Sequence, residues 1–499
     1  MMKLALFTGL LLSFSLVASL SFSEANQQQK QLGDNLILRL LKSRRSESSV
    51  SRHSWEAFKK KKVYSRQANF QFQPQDYGSM EHDKITALPG QPNGVNFQQY
   101  AGYVTVDPQA GRALFYYFVE SPENSSTNPL VLWLNRGRGC SSFGYGAMTE
   151  LGPFRVNSDG KTLFQNKYAW NNVANVIFLE SPAGVGFSYS NTSSDYDHTG
   201  DKSTAADAYT FLLNWLGRFP QYKNRDFFIA GENYAGHYGP QLADIIVSHN
   251  KNANQSIINL KGVAIGNGEL DEATGIIGLF DYLWTHALIS DETYKRIIEN
   301  CDLANGNFSK KCTELFGQAS DEIGDIDFYN IYAPICHKVD IEANQSSTTT
   351  ASTQDYDPCS DYYVESYLNN AAVQSAFHVK NTEWSGCRWF NWTDRRKTVL
   401  PVIKDLMANG VRVWIYSGDT DAVASVISTR YSLAALKLPI KTPWYPWYTN
   451  DEVGGYVVAY EGLTFVTVRG AGHLVPVWQP KRALTMFSSF LRGTLPPKH

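Results

Sequence analysis

Short apolar runs alternate along the chain with longer stretches whose apolar residues recur at helical spacing. The runs PLVLWLN (129–135), DFFIA (226–230) and RVWIYSG (412–418) contain few polar positions, which is typical of strands buried on both faces of a parallel sheet. By contrast, TAADAYTFLLNWLGRFP (204–220) has apolar residues at helical spacing and ends at a proline, as helices do. The alternation of these two patterns predicts an α/β fold with a mostly parallel sheet between helices.

The pattern changes at two places in the chain. QYAGYVTV (99–106) and RALFYYFVES (112–121) are β-rich, alternate in polarity and flank a turn-like DPQAG, which predicts a hairpin. Between residues 267 and 372, helical stretches appear, four of the six cysteines gather, and a Ser/Thr-rich segment predicts an exposed loop. We interpret residues 267–372 as a helical cap inserted into an α/β core of residues 84–266 and 373–499.

The N-terminus has the pattern of a secretory signal peptide. Lys3 precedes a short apolar run that ends in small residues, which favours a cleaved signal over residues 1–23 rather than a membrane anchor. Residues 24–83 are polar and locally basic, and we interpret them as an N-terminal extension or a removable pro-segment. No later apolar run is long enough to span a bilayer, so we expect no membrane association after signal removal. The predicted destination is the extracellular space or a vacuole.

Glycosylation sequons and cysteines agree with secretion. An even number of cysteines suits three disulfides in an oxidising compartment, and the absence of a C-x-x-C pair argues against zinc. Six N-x-S/T sequons follow the predicted signal peptide. The predicted glycosylation sites are Asn124, Asn191, Asn254, Asn307, Asn344 and Asn391.

Composition excludes several other classes of function. The formal net charge is only −2, which argues against a nucleic-acid partner. The chain has no P-loop, dinucleotide fingerprint or metal motif, so we predict neither a cofactor nor a metal. The oligomeric state stays open, with a homodimer among the alternatives.

The candidate chemistry begins at GENYAGHYGP (231–240), which lies between a predicted strand and a predicted helix (241–250). Such a sharp strand–turn–helix is how many hydrolases present a nucleophile. The tip is Asn233, however, and an amide is not a nucleophile. Asp421 and His473 follow later predicted strands, in the order that such hydrolases use for their acid and their base. A histidine paired in this way accepts the proton of the nucleophile, while the carboxylate fixes its tautomer.

Six stretches carry a family resemblance that runs from about residue 84 to the end. They are WLNRGRGCSS (133–142), ELGPFRV (150–156), ESPAGVGFSYS (180–190), GENYAGHYGP (231–240), IYSGDTDAV (415–423) and GAGHLVPVWQP (470–480). With these motifs, the chain resembles the serine carboxypeptidases, in particular the plant serine carboxypeptidase-like proteins. The resemblance implies an α/β-hydrolase fold and the removal of C-terminal residues from peptides. In some plant members it instead implies acyl transfer from glucose esters.

The resemblance also assigns roles to individual residues. It places the nucleophile at Asn233, the acid at Asp421 and the base at His473. The backbone N–H groups of Gly137 and Tyr234 would form the oxyanion hole.

A second set of assignments concerns the ligand, a peptide or small acyl compound with a free carboxylate. That carboxylate would meet Asn135 and Glu232, with Glu150 supporting Glu232. The implied disulfides are Cys140–Cys387, Cys301–Cys312 and Cys336–Cys359.

Three departures from the family pattern fall within the chemistry. Asn233 replaces a serine, Arg136 replaces a glycine and Arg138 replaces a proline. Arg136 would block the carboxylate pocket, pair with Glu232 or bind an anionic ligand, unless both arginines only point into solvent. Ser141 and Ser142 are nearby hydroxyls, but neither lies on the elbow.

Three hypotheses about function follow. The first is a serine carboxypeptidase-like protein that has lost, or nearly lost, its peptidase activity and binds peptide C-termini or acts through its surface. The second is a working carboxypeptidase with another nucleophile. The third is an acyltransferase of the same family, which needs the same nucleophile. The physical argument favours the first hypothesis, since Asn233 cannot form an acyl-enzyme.

Overall fold

The computed structural model describes residues 79–135, 137–255, 257–306, 308–336, 356–388 and 390–499. Several predicted features lie outside these residues: the signal peptide, most of the extension, Arg136, Asn307 and Asn344. Residues 79–83, which the predicted extension included, hold one helical turn whose Asp83 is buried and accepts a hydrogen bond from Tyr116 Oη at 2.7 Å.

Within the described residues, the chain forms strands and helices at the following positions. The strands are β1 (Lys84–Ile85), β2 (Gln99–Asp107), β3 (Arg112–Val119), β4 (Leu130–Leu134), β5 (Phe154–Val156), β6 (Leu163–Gln165), β7 (Asn175–Leu179), β8 (Phe227–Glu232), β9 (Leu260–Gly266), β10 (Arg412–Gly418), β11 (Ile440–Thr449), β12 (Glu452–Tyr460) and β13 (Leu463–Val468). The α-helices are α1 (Met80–Asp83), α2 (Asp201–Arg218), α3 (Ala235–Asn252), α4 (Glu272–Thr285), α5 (Asp291–Asn300), α6 (Lys310–Ile323), α7 (Ser360–Leu368), α8 (Ala371–Ala376), α9 (Leu400–Ala408), α10 (Val426–Ala435), α11 (Val475–Trp478) and α12 (Pro480–Arg492). A π-helix spans Ser142–Glu150, and short 3₁₀ helices lie at Trp170–Asn172, Ser193–Tyr196 and Pro220–Tyr222.

The described residues fall into two compact units. The smaller contains Trp284–Asp325 and the larger contains residues 79–283 and 326–499. In the smaller unit, α5 and α6 begin at serine caps, and the Cys301–Cys312 disulfide joins the end of α5 to the first turn of α6. The predicted cap boundaries of 267–372 remain a prediction.

The larger unit is built on an eleven-stranded sheet in the order β1-β2-β3-β7-β4-β8-β9-β10-β13-β12-β11. The six neighbouring strands β7-β4-β8-β9-β10-β13 run parallel to one another. The strands outside them, at both edges of the sheet, pair antiparallel. The predicted mostly parallel sheet is therefore confirmed, as is the hairpin of β2 and β3.

The central strands are buried on both faces, as their continuous apolar sequences predict. In β4, Leu130, Leu132 and Leu134 join the cluster that packs against α2 and α3, while Val131 and Trp133 join the cluster on the opposite face. Alternation of side chains along a strand thus splits one apolar run between two core layers.

Helix α3 begins earlier than its sequence suggests. The sequence predicts a helix over residues 241–250, but the helix starts at Ala235. Pro240 is the sixth residue of this helix and lies inside it, where it removes one backbone N–H donor. The helix begins two residues after Asn233.

The aromatic segment 443–451 forms most of an edge strand, which the sequence did not predict. Pro443 and Pro446 lie in β11, whose pairing with β12 shifts register at several points. Prolines are typical of edge strands because they cannot donate to a ladder. Trp447 is fully buried and donates to the Thr467 carbonyl, whereas Trp444 is exposed and stacks on Tyr456.

Three disulfides join the same pairs that the resemblance implies, namely Cys140–Cys387, Cys301–Cys312 and Cys336–Cys359. None of the helices in the described part of the chain is long and apolar enough to cross a lipid bilayer.

Candidate active site

The elbow is a tight turn between β8 and α3, with Asn233 at its tip. Asn233 has φ 55°, a left-handed conformation that asparagine tolerates better than most residues. Its N–H donates to the Gly266 carbonyl at 3.1 Å, and its carbonyl accepts from the N–H groups of Gly236 at 2.9 Å and Glu269 at 3.0 Å. A Cβ at Gly231 would lie 2.4 Å from the Leu134 carbonyl oxygen, so only glycine fits there. The backbone therefore forms the tight turn predicted for a nucleophile elbow, with an asparagine at its tip.

The predicted acid and base form a buried pair. His473 Nδ1 lies 2.8 Å from Asp421 Oδ2, and both side chains are shielded from solvent. Asp421 also accepts the N–H groups of Val423 at 2.8 Å and Ala424 at 3.0 Å. Because the carboxylate is an acceptor, Nδ1 is assigned as the protonated nitrogen and Nε2 keeps its lone pair. His473 Nε2 is buried and has no hydrogen-bond partner among the described residues.

Asn267 is a third member of this group, and sequence reasoning missed it. It directly follows β9 with φ 39°, is fully buried and donates from Nδ2 to Asp421 Oδ2 at 2.9 Å. Its Oδ1 accepts the N–H of Gly418 at 2.9 Å. The available signal was its position after a buried strand, which matches that of Asn233 after β8.

The topology brings the three predicted triad positions to one edge of the sheet. β8, β9, β10 and β13 are consecutive neighbours and parallel, so their carboxyl ends lie side by side. A chain of hydrogen bonds follows this edge: Asn233 donates to Gly266, the next residue Asn267 donates to Asp421, and Asp421 pairs with His473. Carboxyl ends of parallel strands are where α/β proteins place their chemistry.

The N–H of Gly137, a predicted oxyanion-hole donor, already has a hydrogen-bond partner. The Gly137 N–H donates to Asn233 Oδ1 at 3.3 Å, so the Asn233 side chain occupies the donor that was predicted for a substrate oxygen. Gly137 has φ 71°, and its carbonyl accepts from Tyr238 Oη at 3.2 Å. Tyr234, the second predicted donor residue, precedes the first residue of α3 and is buried.

The residues predicted to bind a carboxylate lie together below the elbow. Asn135 Nδ2 donates to Glu150 Oε1 at 2.7 Å and to Glu232 Oε1 at 2.9 Å. Its Oδ1 accepts from Trp133 Nε1, which fixes which side of the amide faces the two carboxyl groups. All of these side chains are buried, so the single amide group bridges two acidic residues out of contact with bulk water.

A polar network behind the elbow holds Tyr234. Asp201 accepts from Tyr234 Oη at 2.8 Å, from Trp392 Nε1 at 2.9 Å and from Gln241 Nε2 at 3.1 Å. Burial alone would raise the pKa of Asp201, but interactions with His237, Gln241 and Tyr234 lower it to about 2. His237 is buried and stacks on the Tyr234 ring. The guanidinium carbon of Arg138 lies over the Tyr234 ring, 5.5 Å from the ring centroid.

The two serines beside the oxyanion loop have structural partners. Ser141 Oγ donates to Glu180 and accepts the N–H of Gly144 at 2.8 Å, and Ser142 Oγ accepts the N–H of Asn135 at 2.9 Å. Burial raises the pKa of Glu180 to about 7, although hydrogen bonds from Ser141, the Phe187 N–H and Trp384 oppose the rise. Neither serine is paired with His473.

Four of the predicted glycosylation sites belong to the described residues. Asn124, Asn191, Asn254 and Asn391 are all exposed, which a glycan requires.

A six-stranded parallel centre with the elbow, acid and base at adjacent carboxyl ends defines an α/β-hydrolase. The particular family follows from comparison with known proteins: residues 89–493 match the family described as serine carboxypeptidase, and the chain belongs to this family.

Two curated relatives from Arabidopsis thaliana illustrate the match. Serine carboxypeptidase-like 40 is 53% identical over 427 residues, which are 84% of each chain. Serine carboxypeptidase 24 is 51% identical over 440 residues, which cover 84% of this chain and 94% of the relative. Among solved structures, the prohormone-processing carboxypeptidase Kex1Δp from Saccharomyces cerevisiae aligns with a TM-score of 0.70 and 23% identity, covering 83% of this chain and 96% of its own. That likeness supports the fold.

Proposed function

We propose that the protein is a secreted or vacuolar serine carboxypeptidase-like glycoprotein whose peptidase activity is lost or strongly impaired. In this proposal its cleft still binds peptides or small acyl compounds that carry a free carboxylate. The observation that carries the proposal is Asn233, which stands at the elbow and accepts the N–H of Gly137.

Chemistry supports the loss of activity in two ways. An amide side chain has no hydroxyl that His473 could deprotonate, so no acyl-enzyme can form at this position. In another hydrolase, removing the nucleophile lowers the rate about a millionfold. In addition, Asn233 Oδ1 competes for the Gly137 N–H that would otherwise stabilise the charge on a substrate oxygen.

A serine-directed fluorophosphonate probe tests the loss of the nucleophile. We expect no labelling of the purified protein, while a serine carboxypeptidase relative labelled in parallel serves as the positive control. Labelling of any serine would refute the proposal and support a working carboxypeptidase or an acyltransferase with a non-standard nucleophile. The hydrogen bonds of Ser141 and Ser142 argue against either of them as that nucleophile.

The bridged pair of carboxyl groups supports carboxylate binding. Glu150 and Glu232 share one amide donor, and two acidic groups so close favour a state in which one is protonated. A protonated carboxyl group can donate to the carboxylate of a ligand, and so can the Asn135 amide.

Calorimetry with a blocked dipeptide tests this part of the proposal. We expect the free acid to bind and the matching C-terminal amide to bind at least about tenfold more weakly, since the amide cannot accept two charge-assisted hydrogen bonds. Equal binding of both compounds would rule out a carboxylate site. The substitution Glu232→Gln should preserve more of the affinity than Glu232→Ala, because glutamine still donates.

Secretion and glycosylation rest on the sequence and on the exposure of the four described sequons. Expression in a plant or insect secretory system should give medium-located protein whose N-terminus begins beyond residue 23. Treatment with an N-glycosidase should lower its mass. Retention in the cytosol with an intact N-terminus would disprove this part.

A further inference from the structure

The side-chain amide of Asn233 is itself a carbonyl compound placed in hydrolytic surroundings. Its Oδ1 accepts the Gly137 N–H at 3.3 Å, the contact predicted for a substrate oxygen. A donor in this position stabilises the negative charge that develops on a carbonyl oxygen when its carbon is attacked. The geometry therefore polarises the amide of the protein as it would polarise the amide of a peptide.

A base is available at the same edge of the sheet. His473 is held through Nδ1 by Asp421, and its buried Nε2 has no hydrogen-bond partner among the described residues. A neutral imidazole in this state can take a proton from a water molecule.

The product would be favoured by its position. Hydrolysis converts Asn233 to aspartate, whose negative charge would lie two residues before the first residue of the 18-residue helix α3. Negative charge is stabilised at a helix N-terminus, and aspartate tolerates the left-handed backbone as asparagine does.

We propose that Asn233 is a self-modification site, at which the protein hydrolyses its own side-chain amide. His473 Nε2 takes a proton from water while the water oxygen bonds to the Asn233 amide carbon, and the resulting oxyanion is held by the Gly137 N–H. The carbon–nitrogen bond then breaks, the imidazolium returns its proton to the leaving nitrogen, and ammonia departs. One water is consumed, and aspartate and ammonium remain. This step does not depend on peptide binding, so it can hold even where the carboxylate site does not.

The experiment incubates the purified full-length protein in water labelled with heavy oxygen and follows the peptide that contains residue 233 by mass spectrometry. We expect time-dependent conversion of Asn233 to aspartate with one heavy oxygen incorporated. Asn267 is the matched internal control: it is buried, has a positive φ and accepts a backbone N–H through Oδ1, but its Nδ2 donates to Asp421. It should remain asparagine, as should the exposed Asn254, which also has a positive φ.

Two variants separate self-hydrolysis from spontaneous deamidation. His473→Gln should slow conversion by about a hundredfold, the scale of general-base catalysis. If that variant does not fold, as judged by circular dichroism, the isosteric Asp421→Asn replaces it with the same expectation. Spontaneous deamidation through a cyclic imide yields isoaspartate and does not need His473. An unconverted Asn233, a rate unaffected by the folded variant, or isoaspartate as the product would each overturn the proposal.

Discussion

The two sides of the candidate site differ in how closely they match the chemistry predicted for a hydrolase. On the acid–base side, His473 and Asn267 are both buried and both hydrogen-bonded to Asp421. On the elbow side, which comprises Asn233, Gly137 and Arg138, the backbone turn is intact but the side chains do not match the chemistry. The contrast teaches that the turn does not depend on a serine at its tip, because its hydrogen bonds are made by the backbone of Asn233.

The largest expected effect comes from rebuilding the elbow side. The triple variant Asn233→Ser, Arg136→Gly and Arg138→Pro should raise carboxypeptidase activity by at least about a thousandfold over the natural chain, since loss of a nucleophile costs about a millionfold elsewhere. Asn233→Ser alone should restore little, because both arginines remain. Hydrolysis of a blocked dipeptide measures the gain, and adding His473→Gln to the triple variant should abolish it. Full activity from the single serine would show that the arginines do not matter.

The next largest effect is a pH dependence of stability at Glu180, which accepts a hydrogen bond from Ser141 Oγ. Burial raises the pKa of Glu180 from 4.5 to about 7. A raised carboxyl pKa means that its contribution to stability is complete below pH 4.5 and is lost as the pH rises through about 7.

The substitution Glu180→Gln should remove this loss. The difference in unfolding free energy between the variant and the natural chain should shift by about 3 kcal/mol in favour of the variant as the pH rises from 5 to 8. Each pKa unit corresponds to about 1.4 kcal/mol. Urea unfolding at the two pH values measures it. Glu383→Gln, at an exposed site, should show no such trend.

Stability should depend on pH in the opposite direction at Asp201, which accepts a hydrogen bond from Tyr234 Oη. Its pKa is lowered to about 2 from 3.8, so its contribution is present above pH 3.8 and is lost as the pH falls through about 2. Asp201→Asn should therefore cost about 2 kcal/mol at pH 7 and much less at pH 2.5. Urea unfolding checks this, with the exposed Asp197→Asn as control. A penalty that does not change with pH would mean that shape rather than charge holds this network.

The smallest effect should appear on the acid–base side. Asn267→Gly keeps the left-handed backbone but removes the hydrogen bonds to Asp421 and Gly418, which should cost about 1.5 kcal/mol. Asn267→Ala should cost more, because alanine is strained at φ 39°. Equal costs, measured by urea unfolding, would show that the backbone conformation contributes nothing.

The parts of the molecule that follow from local pattern could be predicted from sequence. Continuous apolar runs identified the central strands, and the order of Asn233, Asp421 and His473 after such runs identified the edge at which they meet. Strand β11 was missed because its prolines break the local signal, and its place is set by pairing with β12.

Contacts between distant segments were not visible in the sequence. Asn267 bonds to Asp421 across 154 positions, and the contact of Asn233 with Gly137 spans 96. Both depend on the left-handed backbone of the two asparagines, which their residue type permits but does not require.

The Cys140–Cys387 disulfide joins positions 247 apart and closes directly behind the loop that carries Gly137. During synthesis that loop can have no covalent partner until residue 387 has emerged from the ribosome. Most of the parallel sheet can form before then, because domains fold as the chain appears. The loop that carries Gly137 is thus among the last parts to be fixed covalently, and only a compartment that oxidises thiols can form this bond.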